Sequence, residues 1–367
     1  MADSETGVAL EIDGYELSGW ETVEIERSID QLAGAFRLTV SENEPDEPLK
    51  RRLVLGAPCS ILLDGDPVVT GYLEDRQIGY DGGAHSVSVA GRDAVGDLID
   101  CSADRSPGAW SDQYIGQIVE DLLAPFDGIS LVSVSDQGPR FASFKLEPGE
   151  SVFEAISRAT RMRALVATSD GIGGLRLLVP GDELAPAEID RSMGGAGRVL
   201  RGSVSESTRS RFSTYRVKGQ SSDVSTWLGL WGAAQEGLAA DPGVLRHRPL
   251  VIVETNKADE GALRRRAQFE ATTRAARSAP VSYTVRGWRA ESGWLWSPGY
   301  RLPVYDPVLG IGTESGAPRE LLISSVRYTL DDSGGQVADL TLLDAVAFQT
   351  RELTEEDPAA ALWAEGS

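Results

Sequence analysis

Outside the carboxylates, side chains able to do nucleophilic, acid–base or metal chemistry are scarce. Cysteine and histidine are limited to Cys59, Cys101, His85 and His247 in 367 residues. None stands at a metal-ligand spacing such as His-Glu-x-x-His, and two cysteines are too few for a disulfide scaffold, so reduced thiols are expected. His85 lies beside a hairpin turn and His247 in Arg246-His247-Arg248-Pro249; both read as ordinary surface or turn histidines. Cys101 follows Asp100 without a base partner and reads as an inert thiol. Neither a GxSxG nucleophile elbow nor a GxxxxGK[ST] phosphate loop occurs. Gly171-Ile172-Gly173-Gly174 and Gly194-Gly195-Ala196-Gly197 do not have the GxGxxG spacing between a strand and a helix, and both read as turns. With 56 Asp and Glu, carboxylate pairs at glycosidase-like separations arise by chance in any fold. No catalytic, cofactor or metal residue is assigned, and the chain reads as a non-enzyme.

The residue types that do concentrate are aromatic. Residues 286–311 hold Trp288, Trp294, Trp296, Tyr300 and Tyr305, so three of the eight tryptophans fall within nine residues. Gly287, Gly293, Gly299, Pro298, Pro303 and Pro307 exclude long helix and predict short strands joined by tight turns. One reading is internal packing, the common fate of aromatic side chains. Another is a contact surface, since Trp, Tyr and Arg are favoured interface anchors. Trp294, Trp296 and Tyr300 are the candidates there, together with Trp227 and Trp231 in the polar stretch 221–244, which reads as a loop. A third reading makes Trp294 and Trp296 a stacking platform for sugar, because residues two apart on a strand share a face. Arg264-Arg265-Arg266 reads as a solvated helix face or a contact for an acidic partner.

The charge narrows the partners. A formal charge of −21 and a pI near 4.6 argue against a general phosphate-neutralising surface for nucleic acid. They suit a path to which nucleic acid must not adhere, or solubility alone. The acidic start, MADSETGVALEIDG, lacks the basic and apolar regions of a secretory signal, and no apolar run is long enough to span a membrane. The length allows two to four domains.

The elements that position these groups alternate between two patterns. Residues 8–97 have the period of two expected of strands: Val23 and Ile25 alternate with Glu24 and Glu26, and Phe36, Leu38 and Val40 with Arg37 and Thr39. Asp13-Gly14, Asp64-Gly65 and Asp81-Gly82-Gly83 are turn signals. Helical spacing then sets in. Ser111 is the predicted cap of a helix running to about Leu123, and Ser151 with Glu154 forms a capping box for a helix to about Met162. A hairpin, 165–168 with 175–179, completes this segment. Strands return over 198–220, with Thr214–Lys218 among them, and Val251-Ile252-Val253 reads as a buried strand. The clearest helix runs from Asp259 to about Arg277, with Leu263, Ala267, Ala271 and Ala275 as a narrow stripe of mainly small residues. Strands follow over 281–289, 320–330 and 337–344.

Several stretches, in order, resemble one family. SGWETVEIERSIDQLAGAFRLTV and GYLEDRQIGYDGGAHSVSVAGRDAVGDLIDCSA lie near the start. LEPGESVFEAISRATRMRALVATSDGIGGLRLL, RFSTYRVKGQ, ARSAPVSYTVRGWRAESGWLWSPGYRLPVYDP and LLISSVRYTLDD…ADLTLLDAVAF follow. Together these resemble the baseplate hub proteins of Mu-type contractile-tailed phages. The resemblance implies a β-rich α+β multidomain chain with two tail-tube-like β-barrels and an α/β insert, three copies forming a pseudo-six-fold ring. The expected division is 1–97, a first barrel completed by strands within 181–218; 98–180, the insert; 219–350, a second barrel with helix 259–277 and a small β subdomain around 286–319; and 351–367, an acidic tail. The implied role is structural: a homotrimeric adaptor between the six-fold tail tube and the three-fold central spike, touching other baseplate proteins. DNA would pass through its channel without specific binding. The expected location is the virion's tail baseplate, and the host cytoplasm during assembly. The alternatives are a hub-associated cell-wall hydrolase or a carbohydrate-binding tail module. Residues 221–244 match the family poorly.

Overall fold

The computed structural model describes residues 7–42, 53–80, 85–163, 165–192, 198–219, 236–254, 260–313, 315–331 and 334–348. Packing divides the chain into two units: Met1–Ser203 with Ser282–Leu342, and Val204–Val281 with Leu343–Ser367.

The first unit begins with β1 (Val8–Ile12) and β2 (Tyr15–Leu17), joined at Asp13-Gly14 with φ of 51° and 76°. A two-residue hairpin needs two left-handed residues, and Asp-Gly supplies them. β3 (Thr22–Ser28), β4 (Ala35–Glu42), β5 (Pro58–Leu63), β6 (Asp66–Tyr80) and β7 (His85–Asp93) follow, with Asp64-Gly65 turning β5 into β6 in the same way. Val23, Ile25, Phe36 and Leu38 point inward, as their alternation predicts.

The chain then changes to short helices: α1 (Asp97–Asp100), β8 (Ala109–Trp110), α2 (Ile115–Leu123), β9 (Ser130–Val134), β10 (Phe144–Lys145), α3 (Val152–Arg161), β11 (Val166–Ser169) and β12 (Gly174–Leu178). At α3 the capping box forms as the sequence predicts. Ser151 Oγ accepts from the Glu154 amide at 3.2 Å, and the Glu154 carboxylate from the Ser151 amide at 2.8 Å. Helix α2 begins at Ile115 rather than directly after Ser111. Asp112 adopts φ 55°, which no right-handed helix accommodates, and Gln117 caps the Tyr114 amide at 3.1 Å instead. Ile115, Ile118, Val119, Ala155, Ile156, Leu175 and Leu177 form the core of this insert.

β13 (Ile189–Asp190) and β14 (Val199–Val204) lead to the second unit. It holds β15 (Thr214–Gly219), β16 (Glu236–Ala240), β17 (Pro249–Glu254) and α4 (Glu260–Arg277). The chain returns through β18 (Val281–Arg286), β19 (Arg301–Tyr305), β20 (Arg319–Asp331) and β21 (Gly335–Leu343).

Among the described residues, thirteen strands form one sheet. Its order is β14-β18-β21-β20-β3-β4-β7-β6-β5-β1-β2, with β19 also on β20 and β13 on β19. The join is the antiparallel pair β20–β3, which sets Val326 against Arg27 and Tyr328 against Ile25. The sequence predicts 219–350 as one barrel. In the structure the strands from Val281 to Leu343 share the sheet of β1–β7, while β15–β17 and α4 pack by themselves. Alternation reveals which face of a strand is buried but not which strand lies beside it. Two smaller corrections have the same origin. Residues 236–240, within the expected loop 221–244, are strand β16, and β17 alternates between half-buried and exposed positions rather than being buried throughout.

Candidate functional site

The aromatic stretch 286–311 lies in the first unit; residues 287–300 form the turn that joins β18 to β19. Ala290 donates to the Trp294 carbonyl at 2.8 Å, Gly293 to the Ala290 carbonyl at 3.0 Å, and Trp296 to the Trp288 carbonyl at 3.2 Å. Trp288 and Trp296 are buried. The Trp288 indole donates to the Thr329 carbonyl on β20 at 3.3 Å, and the Tyr328 hydroxyl donates to the Trp296 carbonyl. Trp294 is half-buried. Its ring stands edge-on to Trp296 (5.9 Å, 73°) and to Tyr300 (5.2 Å, 77°).

Three separate parts of the unit meet on this turn. Arg289 reaches the β5–β6 turn, 2.5 Å from the Asp66 carboxylate and 3.7 Å from that of Asp64. The Arg176 guanidinium, from β12 of the insert, lies 5.9 Å from the Tyr300 ring centre. Gly299 donates its amide to the Ile323 carbonyl on β20 at 2.9 Å. The stretch is thus a keystone among the β5–β6 hairpin, the insert and β20. Trp294 and Trp296 do not form a stacking platform: one ring is buried and the two are nearly perpendicular. Trp294 and Tyr300 keep exposed area. Trp227 and Trp231 lie outside the described residues.

A second node joins the insert to the sheet. Asp93 ends β7 and is buried; its Oδ2 accepts from the Gly34 amide at 2.8 Å, while its Oδ1 has no hydrogen-bond partner. Burial pushes the carboxyl up to about 6, against weaker opposing help from Gly34, Ser169, Arg27 and Val95. Beside it the Arg27 guanidinium donates to the Asp170 carbonyl at 2.6 Å. The Thr70 amide donates to the Gly171 carbonyl at 2.7 Å. Gly171 has φ 88°, and a Cβ there would stand 2.3 Å from the Val68 carbonyl oxygen, so glycine is required for the insert to dock. Arg92, the neighbour of Asp93, pairs with Glu74 at 2.7 Å and Asp100 at 2.5 Å.

In the second unit Tyr215 and Val217 of β15 pack against Leu263, Ala267 and Ala271 of α4. Gly237 allows the close approach: a Cβ there would stand 2.1 Å from the Arg264 nitrogen. Glu270 holds Arg266 at 2.8 Å and Arg274 at 2.9 Å along the helix. Arg211 grips the buried Asp241 carboxylate through two hydrogen bonds of 2.6 and 2.7 Å.

The groups with intrinsic reactivity stay apart. Cys59 is buried, its thiol pushed up to about 12 by desolvation, and Cys101 is exposed. His85 opens β7, and His247 lies exposed in the turn before β17. Among the described residues, no three His, Cys, Asp or Glu side chains are placed to hold a metal ion. No described helix is long and apolar enough to cross a membrane.

Comparison with known proteins agrees along nearly the whole chain. Residues 7–93 match the amino-terminal domain of the Mu phage baseplate assembly protein GpP-like family. Residues 95–178 match the second domain of gp44-like baseplate hub proteins, and 260–351 the fourth domain of GpP. The baseplate hub protein gp44 of Escherichia phage Mu is 31% identical over 351 residues, covering 93% of this chain and 88% of that protein. A 43 kDa tail protein of prophage MuSo2 from Shewanella oneidensis superposes with a TM-score of 0.78 at 28% identity, over 93% of this chain and 99% of that one. A tail protein from Neisseria meningitidis MC58 shares the fold, with a TM-score of 0.76 at 23% identity over 94% and 98% of the two chains.

Proposed function

This chain belongs to the baseplate hub proteins of Mu-like phages, and we propose that it serves as their homotrimeric adaptor between the six-fold tail tube and the three-fold central spike. It is a structural protein of the phage tail, and its place is the virion. The observation that carries the reading is the agreement with the Mu hub over 93% of the chain. The adaptor role is supported by the thirteen-stranded sheet, which recruits strands from both ends of the chain and offers a broad surface to neighbouring proteins. In this reading the hub contacts the tube protein on one side and the spike on the other, and DNA crosses its channel without binding. Three copies would carry three times −21, a formal charge of −63, so carboxylates on the channel wall would repel phosphate. The aromatic turn contributes by fixing the first unit, and the exposed area of Trp294 and Tyr300 is available to a neighbour.

Light scattering on the purified chain tests the oligomer. A mass of about three times 39.3 kDa is expected, and a monomer at every concentration, with or without the spike protein, would overturn the adaptor role. A structure of that trimer with a basic or neutral channel wall would overturn the DNA-repelling part alone.

A further inference from the structure

The segment 204–281, which supplies the sheet and helix of the second unit, differs in charge from the rest of the chain. Residues 204–281 hold twelve Lys and Arg against eight Asp and Glu, whereas the whole chain holds 35 against 56. A basic segment is thus embedded in an otherwise strongly acidic protein.

Its sheet has one covered face. Tyr215 and Val217 turn toward α4, so Arg216 and Lys218 turn away. The pairing registers place Leu238, Arg216 and Val251 in one cross-strand row of that outer face, and Glu236, Lys218 and Val253 in the next. Leu238, Val251 and Val253 are 46%, 53% and 61% exposed. Arg216 lies 3.7 Å from Glu236. Three aliphatics, two cations and the Glu236 carboxylate therefore face outward, on a sheet whose order among the described residues, β16-β15-β17, leaves β17 as an edge. The β15–β17 pair is parallel and β15–β16 antiparallel, so the sheet is mixed, and its outer face carries aliphatic rather than wholly polar side chains. A flat apolar edge strand without cover is a pairing hazard that proteins normally mask.

The geometry points to a second copy of this chain as the cover that the described residues do not supply. The outer face of β15–β17 seats on a carboxylate-bearing surface of a neighbouring subunit's acidic body. The aliphatics supply burial, and Arg216 and Lys218 supply charge complementarity and orientation. A basic face meeting a different, acidic face is a heterologous contact, the kind that closes into a ring when repeated. This rests on the trimeric reading above and names the surface that would build it.

The test uses the full chain. Light scattering and sedimentation are measured on the wild type, on the double variant Arg216→Glu, Lys218→Glu, and on Val251→Asp, with circular dichroism as a check of folding. Hydrogen exchange follows residues 249–254. The wild-type trimer is expected to dissociate as NaCl rises from about 0.05 to 0.5 M, because screening shortens the reach of the charges. Each variant is expected to raise the concentration for half-assembly at least tenfold while remaining folded. Amides of 249–254 should be protected in the trimer and lose protection on dilution. Folded variants that trimerise like the wild type would overturn this face and leave the trimer standing. A monomeric wild type would overturn both readings. Protection of 249–254 that survives dilution to monomer would assign the cover to the chain itself and overturn the inference.

Discussion

Asp93 offers a test with a computable size. Its carboxyl is buried where β7 enters the insert, with one oxygen held by the Gly34 amide and the other without a hydrogen bond. Burial, the largest cause, raises it to about 6 from the ordinary 3.8. The charged groups facing it are few: Arg27 on β3 favours the ionised form, and Ser169 and the amides of Gly34 and Val95 help, but together they do not repay desolvation. Between about pH 4 and 6 the folded chain keeps a proton that the unfolded chain has released. Stability from this group therefore falls as pH rises through that window, and is restored on acidification. At 1.36 kcal/mol for each tenfold change in acidity, the difference corresponds to about 3 kcal/mol at pH 7, an upper figure for a site that can relax. Asp93→Asn keeps the shape and the acceptor for Gly34 but removes the charge. It should match the wild type near pH 4 and be more stable by about 1–3 kcal/mol at pH 7. Urea unfolding from pH 4 to 7.5 measures this, and the difference between variant and wild type cancels the self-repulsion of so acidic a chain. If Asn is less stable than Asp at pH 7, the carboxylate is well solvated or well paired, and the account of this node is wrong.

Three further substitutions probe the two units separately. Trp288→Ala empties a buried site and should cost about 3–5 kcal/mol, whereas Trp294→Ala removes two edge-to-face contacts worth about 0.5–1.5 kcal/mol each and should cost about 1–3; equal losses in urea unfolding would contradict the keystone geometry. Asp241→Ala strands Arg211 inside the second unit and should cost about 3–5 kcal/mol, seen as lost hydrogen-exchange protection in β15 and β17 with β3 and β4 unchanged.

The sequence conveys local chemistry well and partnership poorly. Asp13-Gly14 and Asp64-Gly65 announce their turns because few other residue pairs tolerate two positive φ angles, and Ser151 with Glu154 announces α3 because both halves of the cap lie within four residues. The same reasoning misplaces the start of α2, since the deciding groups, Asp112 and Gln117, act through a backbone angle and a side-chain cap that a helical pattern does not record. Among the strands, β20 pairs with β3 across about three hundred residues, and nothing in TVEIERS or RELLISSVRYTLD names the other. The aromatic turn is legible as a dense cluster, but whether it is core or contact depends on Arg289, Arg176 and Tyr328, which come from one residue inside it and two far away.

The error at Val251-Ile252-Val253 is the most instructive. Three consecutive β-branched residues read as a buried strand, because an unbroken apolar run is the pattern of a strand covered on both faces. The structure covers Ile252 with the layer of α4 and leaves Val251 and Val253 outward. Composition thus anticipates a burial that the described residues do not complete. Exposed surface charge makes the same point: Arg216 and Lys218 between those aliphatics would weaken a closed core, yet they suit a contact that must form only against carboxylates. If the proposed trimer forms, its sequence carries the pattern of the assembled state, and disagreement between that pattern and the isolated fold marks the surface where a neighbour would sit.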